Sequence, residues 1–408
     1  MKKPNLLVIG ASGAVATAFL HHLYNHRDII GCLVLLDRND RITKDPFINH
    51  KALDYTFIKK AIKLPEKEAE YGRLLDKHRI DIVLDLSTLD TIPLLEATDK
   101  FGRSLLNTAV NDEKMDIPRS VIEIYDRKKE FASKPHIMCS GMNPGIVNMW
   151  VRMGIEDHGI PKQLIHFEYD TAKIAKGWRP MMTWSVLEYL GEVVWDPSSA
   201  MVKGRIKDAD VDSMFNREDM APILKPIMRL DRYPYGFTVP HEECASVARK
   251  YGISSKYVYA VNMETMKYLR ELYRKKGTVN IGDMMLGDNV RYPLDGSDSI
   301  GVILDYPDKQ VYYFNVVSNT DTLGANATVT QVIVGVFAGL FTMVFDKLKP
   351  GVYFTEDLYD SHYRYFMTDN MRVQKYVFKK TRKGPKLVEY DPQIKLKRRN
   401  RFEHMYVF

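Results

Sequence analysis

Val8-Ile9-Gly10-Ala11-Ser12-Gly13-Ala14-Val15-Ala16 stands where a run of apolar β-formers gives way to a helical stretch. Glycines at such a junction let the chain turn tightly and bring backbone N–H groups to a pyrophosphate at a helix N-terminus. Ser12 replaces the second glycine of G-x-G-x-x-G, so the turn fits G-x-x-G-x-x-A, with Ala16 packing helix on strand. Asp37 follows Gly10 by 27 residues, just after the apolar run Cys32 to Leu36. A carboxylate there accepts hydrogen bonds from an adenosine ribose and repels a 2′-phosphate, favouring NAD, although Arg38 leaves NADP open. The expected cofactor is NAD, held by Gly10, Ser12, Gly13, Ala14, Val15 and Asp37.

A turn of this kind needs a parallel sheet to position it. Leu6 to Ile9, Cys32 to Leu36, Ile80 to Leu84, Ser104 to Asn107 and His136 to Cys139 are strand-like and alternate with helical stretches such as Ala14 to Tyr24. That alternation predicts an α/β fold with an N-terminal Rossmann-type parallel sheet over residues 1–145. Past Asn143-Pro144-Gly145 the texture changes. A helix from Ile146 to His158 leads into Gln163 to Tyr169, followed by strand-like runs at Lys256 to Asn262, Ser299 to Tyr306 and Gln310 to Val317. These predict a second, α+β catalytic domain over 146–325. Ala327 to Phe345 should form a long buried helix, with 326–370 returning to the Rossmann domain and 371–408 forming a basic tail.

The bulk numbers bound the function. A chain of 408 residues exceeds one ordinary core, and 45% hydrophobic with 27% charged residues is a soluble globular profile. The apolar run Val332 to Phe345 is shorter than a bilayer span, and Met-Lys-Lys-Pro-Asn leads straight into a strand without a signal-peptide pattern. Cys32, Cys139 and Cys244 lie far apart, giving neither a disulfide framework nor a zinc pattern. No metal and no membrane are expected, and a reducing cytoplasm is. Residues 372–408 hold twelve Lys/Arg against three Asp/Glu, a local +9, so the remainder carries about −2 of the net +7. Nucleic acid is therefore not an expected partner: the tail reads first as a solvated surface, with RNA, anionic lipid or an acidic partner as the minority reading, and the mildly acidic body suits a small cationic substrate.

Asp85-Leu86-Ser87, Leu106-Asn107-Thr108, Ser140-Gly141-Met142-Asn143-Pro144-Gly145, Glu168-Tyr169-Asp170-Thr171, Thr183-Trp184-Ser185, Pro240-His241-Glu242-Glu243 and Asn326-Ala327-Thr328 follow in that order. In order and spacing, over roughly residues 5 to 360, they resemble homospermidine synthase, of the saccharopine-dehydrogenase-like superfamily. The resemblance implies a homodimer that oxidises putrescine at one amine, loses ammonia, joins the product to a second diamine as an imine and reduces that imine. The same NADH returns the hydride, so NAD acts as a resident group. Leu86, Ser87, Asn107, Thr108, Asn143 and Thr171 would also line the cofactor.

A diamine has two cationic ends, so its site needs carboxylates, an aromatic face and a proton carrier. Trp184 would offer its face to an ammonium ion, a contact worth about 2 kcal/mol when desolvated. Glu192 comes two turns later on the same face if Thr183 to Glu192 is helical. Glu168 could accept the amine proton, and His241 is suited to proton exchange near neutral pH. Asn143 would orient the nicotinamide or the amine, and Asp90 would anchor the distal ammonium. Asn111 stands where the family carries an acid, with Asp112 or Glu113 close by, and Asp85 replaces a family asparagine. Each residue also has an ordinary alternative: Trp184 in the core, Glu192 on a helix surface, His241 paired with Glu242. A second reading is an imine reductase like saccharopine or carboxynorspermidine dehydrogenase, with Arg179 or Lys176 clamping a substrate carboxylate. A third is a non-catalytic NAD-binding scaffold that docks through its tail.

Overall fold

The computed structural model describes residues 3–287, 292–322 and 324–396. Leu6–Ile9 (β1) and Leu33–Asp37 (β2) are buried at every position, as strands of a parallel sheet covered on both faces must be. Tyr55–Lys59 (β3), Ile82–Asp85 (β4), Ser104–Asn107 (β5) and Pro135–Met138 (β6) complete the N-terminal run. The order is β6-β5-β4-β1-β2-β3, all parallel, and Gly351–Phe354 adds a seventh strand beside β6. Strand order reverses between β1 and β4, so the carboxyl ends of those strands open the crevice where such sheets take ligands. The helix Ala14–Leu23 (α1) leaves β1 there. The sheet is thus Rossmann-like, with β3 and Gly351–Phe354 beyond the strands expected from sequence.

The chain divides into two compact units, the first taking residues 1–149 and 331–370, the second 150–330 and 371–395. Ala327–Phe345 is one helix, as its apolar run suggests; by length and composition it could cross a bilayer, and 72% of its most apolar window is buried.

The second unit holds a ten-stranded mixed sheet. At its centre Gln163–Asp170 (β7) runs parallel to Ser254–Val261 and antiparallel to Ser297–Asp305. Side chains alternate across a strand. Phe167, with Ile165 and Tyr169 beside it, joins Val258, Ala260, Ile303, Tyr312 and Phe314 in an apolar core on one face. His166, Glu168 and Asp170 therefore share the opposite face. The register sets Tyr257 beside His166, Tyr259 and Ile300 beside Glu168, and Asp298 beside Asp170.

The expected basic tail needs correction. Gln374–Thr381 and Gly384–Asp391 are strands that extend this sheet beyond Lys309–Ser318. Val377 and Phe378 are buried, while Lys379, Lys380, Arg382, Lys383 and Lys386 lie exposed. The cationic side chains decorate a hairpin whose first strand buries Gln374, Val377 and Phe378 and whose second strand is largely exposed. The part of the tail from 397 onward lies outside the described residues.

Candidate active site

The Gly10 turn has the form its sequence suggests. Gly10 adopts φ +74°, and a Cβ there would stand 2.5 Å from the Leu86 carbonyl oxygen, so only glycine fits this crossing of β1 and β4. Gly13 is the N-cap of α1 and offers no side-chain cap, which leaves the first N–H groups of the helix, at Ala14 and Val15, to a ligand or water. A cavity of about 340 Å³ opens beside the turn, lined among others by Gly10, Ser12, Gly13, Asp37, Leu86 and Ser87. The donors of a helix N-terminus facing a carboxylate at the end of β2 are the set that a dinucleotide needs.

Asp37 is held firmly. Its Oδ2 accepts the Ser12 N–H at 2.9 Å, and its Oδ1 accepts the Asn39 backbone and side-chain N–H groups, both at 3.0 Å. Each carboxylate oxygen has two lone pairs, so Oδ2 keeps one for a ribose hydroxyl. Arg41, Lys60 and Asn39 also line the cavity and were missed in the sequence; Arg41 donates to the Ser12 carbonyl at 2.8 Å. Nothing in their spacing marks them, because they follow the strand ends rather than a motif.

Other expected residues sit in loops at the carboxyl ends of β4 and β5. Asp90 accepts the Glu113 N–H, and Asn111 donates its side-chain N–H to the Ser87 carbonyl. Asn107 accepts the Cys139 N–H and donates to the Ala109 carbonyl. Thr108 closes on Gly141, and neither it nor Asn107 lines the cavity. Asn143, in a cis Asn143–Pro144 peptide, belongs to the first unit. Thr171 lies in the second, where its hydroxyl donates to the Ser297 carbonyl at 2.9 Å and accepts the Ser297 N–H at 2.8 Å.

Asp85 gives a direct test of this loop. Burial pushes its carboxyl up to about 7, against hydrogen bonds from the Ser87 hydroxyl and N–H. A carboxyl raised above its unfolded value, near 4, stabilises the fold below that value and loses the contribution as pH rises through about 7. Asp85→Asn should therefore be more stable than the wild type at about pH 8, by on the order of 1–3 kcal/mol, and gain nothing near pH 4. Urea unfolding at the two pH values measures this; equal differences at both would contradict it.

The second unit brings four expected residues into one buried cluster. Glu168 Oε2 accepts the Tyr257 hydroxyl at 2.6 Å, and the Tyr257 ring lies 4.2 Å from that of His241. His241 Nδ1 bonds Glu243 and lies 3.2 Å from Glu242, while its Nε2 is 3.9 Å from Glu192. Trp184, half-buried, donates its indole N–H to the Tyr259 hydroxyl at 3.2 Å. The expected helix is shorter than the sequence suggests. Val186–Leu190 is α-helical, and Gly191–Trp195 widens into a π turn, which leaves Glu192 3% exposed instead of on a surface. His241 pairs with Glu242, as its ordinary alternative has it, and with Glu243 and Glu192 as well.

Burial and charge set the electrostatics. Burial alone would lower His241, but the carboxylates of Glu243, Glu192 and Glu242 raise it to about 10, so it is an imidazolium at neutral pH. Burial pushes Glu192 well above the carboxylate range, with His241 opposing, whereas His241 overcomes burial to hold Glu243 low. His166, lowered by burial to about 4, is neutral. In this unit Glu168, Asp170, Glu192, Glu242, Glu243 and Asp298 are buried, and no Lys or Arg is buried among the described residues. Such a site can take a proton at a carboxylate, give one from His241 and hold a cation against aromatic rings.

Neither a protein-family model nor a curated protein sequence matches the chain. Among solved structures, the amine dehydrogenase of Mycobacterium smegmatis is 10% identical over 87% of this chain and 95% of its own, at a TM-score of 0.38. The scyllo-inositol dehydrogenase of Lactobacillus casei, solved with NAD(H), is 8% identical over 73% and 74%, at 0.35. The UDP-glucose-4-epimerase of Stenotrophomonas maltophila, solved with NAD, is 15% identical over 33% of this chain, which spans about half (52%) of the epimerase, at 0.25. Likenesses at these scores carry nothing about substrate or reaction.

Proposed function

We propose that the chain is an NAD-dependent oxidoreductase acting on a cationic amine and, more narrowly, that it makes homospermidine from putrescine in the manner of homospermidine synthase. The carrying observation is the set of six buried carboxylates, with no buried Lys or Arg in their unit among the described residues. Burial on this scale favours the protonated form at Glu192 and Asp298, and a ligand bearing two ammonium groups would supply the positive charge that His241 alone does not. Gly10, Ser12, Gly13 and Asp37 would hold NAD, which would supply a hydride acceptor for amine oxidation and a hydride donor for imine reduction. Glu168 removes a proton from the ammonium, Trp184 holds a cationic nitrogen over its ring, Glu192 faces the second, and His241 supplies a proton to the nitrogen that leaves.

The imine-reductase alternative needs a cation to clamp a substrate carboxylate. Its candidates Lys176 and Arg179 are both exposed, and the buried cluster is acidic, which favours a diamine. Purified protein given putrescine and NAD far below the substrate concentration should release homospermidine and ammonia over many turnovers. A need for stoichiometric NAD(P)H and a carboxylated partner would overturn the reading. Trp184→Ala should raise the KM for putrescine about thirtyfold, the equivalent of about 2 kcal/mol, with Trp184→Phe recovering part of it. Unchanged kinetics would remove Trp184 from the site.

A further inference from the structure

Asp170, Thr183, Thr328 and Asp298 form an unbroken chain of oxygens inside the second unit. Thr183 Oγ1 lies 2.8 Å from Asp170 Oδ2 and 3.0 Å from Thr328 Oγ1, which in turn lies 2.7 Å from Asp298 Oδ2. All four side chains are buried. Asn326 fixes the middle link: it donates to the Thr183 carbonyl and accepts the Val329 N–H at the start of the long helix. The Thr-Trp-Ser and Asn-Ala-Thr runs of the sequence thus meet here.

Counting protons shows what the chain must be. Three oxygen–oxygen links need three protons, and two hydroxyls supply two. The third sits on one of the aspartates, so the pair holds one acid proton and one negative charge. Burial agrees, pushing Asp170 up to about 6 and Asp298 well above the carboxylate range. The ends are unequal. Asp170 Oδ1 accepts the Ala172 N–H at 2.7 Å, whereas Asp298 Oδ1 is buried without a hydrogen bond of normal geometry, and the Ser299 N–H that favours its carboxylate is outweighed by burial and by Glu168 and Asp170. At rest the charge belongs on Asp170 and the proton on Asp298. A concerted shift of the three protons reverses this without moving any ion through the interior. The titratable groups facing the chain are Glu168 on β7, Tyr259 on the neighbouring strand, and Tyr189.

We propose that Asp170, Thr183, Thr328 and Asp298 are a proton relay for the amine chemistry, with Asp298 Oδ1 as the exchanging end. The proposal rests on the functional reading above, which requires two ammonium protons to be removed: one from the amine that is oxidised, one from the amine that attacks the imine. Glu168 takes one and the relay takes the other. An arriving cation draws the negative charge to Asp298. The N–H bond of the ammonium then breaks and an O–H bond forms on Asp298, giving a neutral amine and a carboxylic acid with no change in oxidation state. When the hydride returns to the imine carbon, the stored proton goes to the secondary amine so formed.

Two measurements on the NAD-loaded protein test this. Infrared difference spectra without substrate should show, at neutral pH, the carbonyl band of a buried carboxylic acid that Asp298→Asn removes and Thr328→Val displaces. With putrescine, Thr328→Val should lower kcat by about 10²-fold, a deficit that shrinks as pH rises because the isolated Asp298 then ionises, and Thr328→Ser should restore it to within a few-fold. Absence of the band with intact turnover overturns the relay alone, as does wild-type kcat and pH profile in Thr328→Val. The band without any turnover of putrescine overturns the functional reading on which the relay rests.

Discussion

Glu168→Gln should lower kcat for putrescine by about 10²–10⁴-fold, the range that removal of a positioned base produces. The change is nearly isosteric, and the amide oxygen can still accept the Tyr257 hydroxyl that now meets Glu168 Oε2 at 2.6 Å. Folding should therefore survive, and the loss should appear in turnover and not in thermal stability. It also removes one charge from a face that carries Asp170 beside it and Asp298 across the strand pair, so the melting temperature should hold or rise. Steady-state kinetics and thermal unfolding on one preparation separate the two effects. A variant with wild-type kcat would take Glu168 out of the chemistry.

The second large effect falls on stability. His241 is the one imidazolium set among Glu192, Glu242 and Glu243, so His241→Gln leaves those carboxylates buried without it and should cost about 3–5 kcal/mol. The pH dependence has a definite sign. The folded-state value of His241 is raised from 6.5 to about 10, so its contribution is complete below about 6.5 and disappears as pH rises through about 10. Wild-type stability should fall across that window, and the variant should lack this part of the slope. Only as pH falls below the ordinary carboxylate value, through the lowered value of Glu243, does that group take up a proton, and there the two proteins should converge. Denaturant midpoints measured across the range check it; parallel curves would show that His241 is not the charge that compensates the cluster.

How far the sequence led depended on whether a signal was local. The Gly10 turn was legible because strand, glycine and helix are contiguous and Asp37 ends the next buried strand. Glu168, Trp184, Glu192 and His241 were legible only through motif order, and the structure brings the four into one cluster. Tyr257, Tyr259 and Asp298 were not. Their alternation reveals a strand but not its register, and the pairing that places them beside β7 links residues about 90 to 130 positions apart. The helix expected from Thr183 to Glu192 begins only at Val186, and Glu192 lies in a π turn that periodicity does not reveal. The basic hairpin was misjudged because its charges outnumber the Val377 and Phe378 that bury it. Asp37 was read for its acidity, while the Ser12 and Asn39 contacts that position it depend on the folded turn.

The central claim is that one hydride leaves the amine and comes back. Putrescine deuterated at both nitrogen-bearing carbons, turned over with catalytic NAD in the presence of added unlabelled NADH, measures this by the mass of the product. A borrowed and returned hydride predicts homospermidine that keeps its full label. Product that has exchanged one deuterium for hydrogen, with the label found in free NADH, would contradict it.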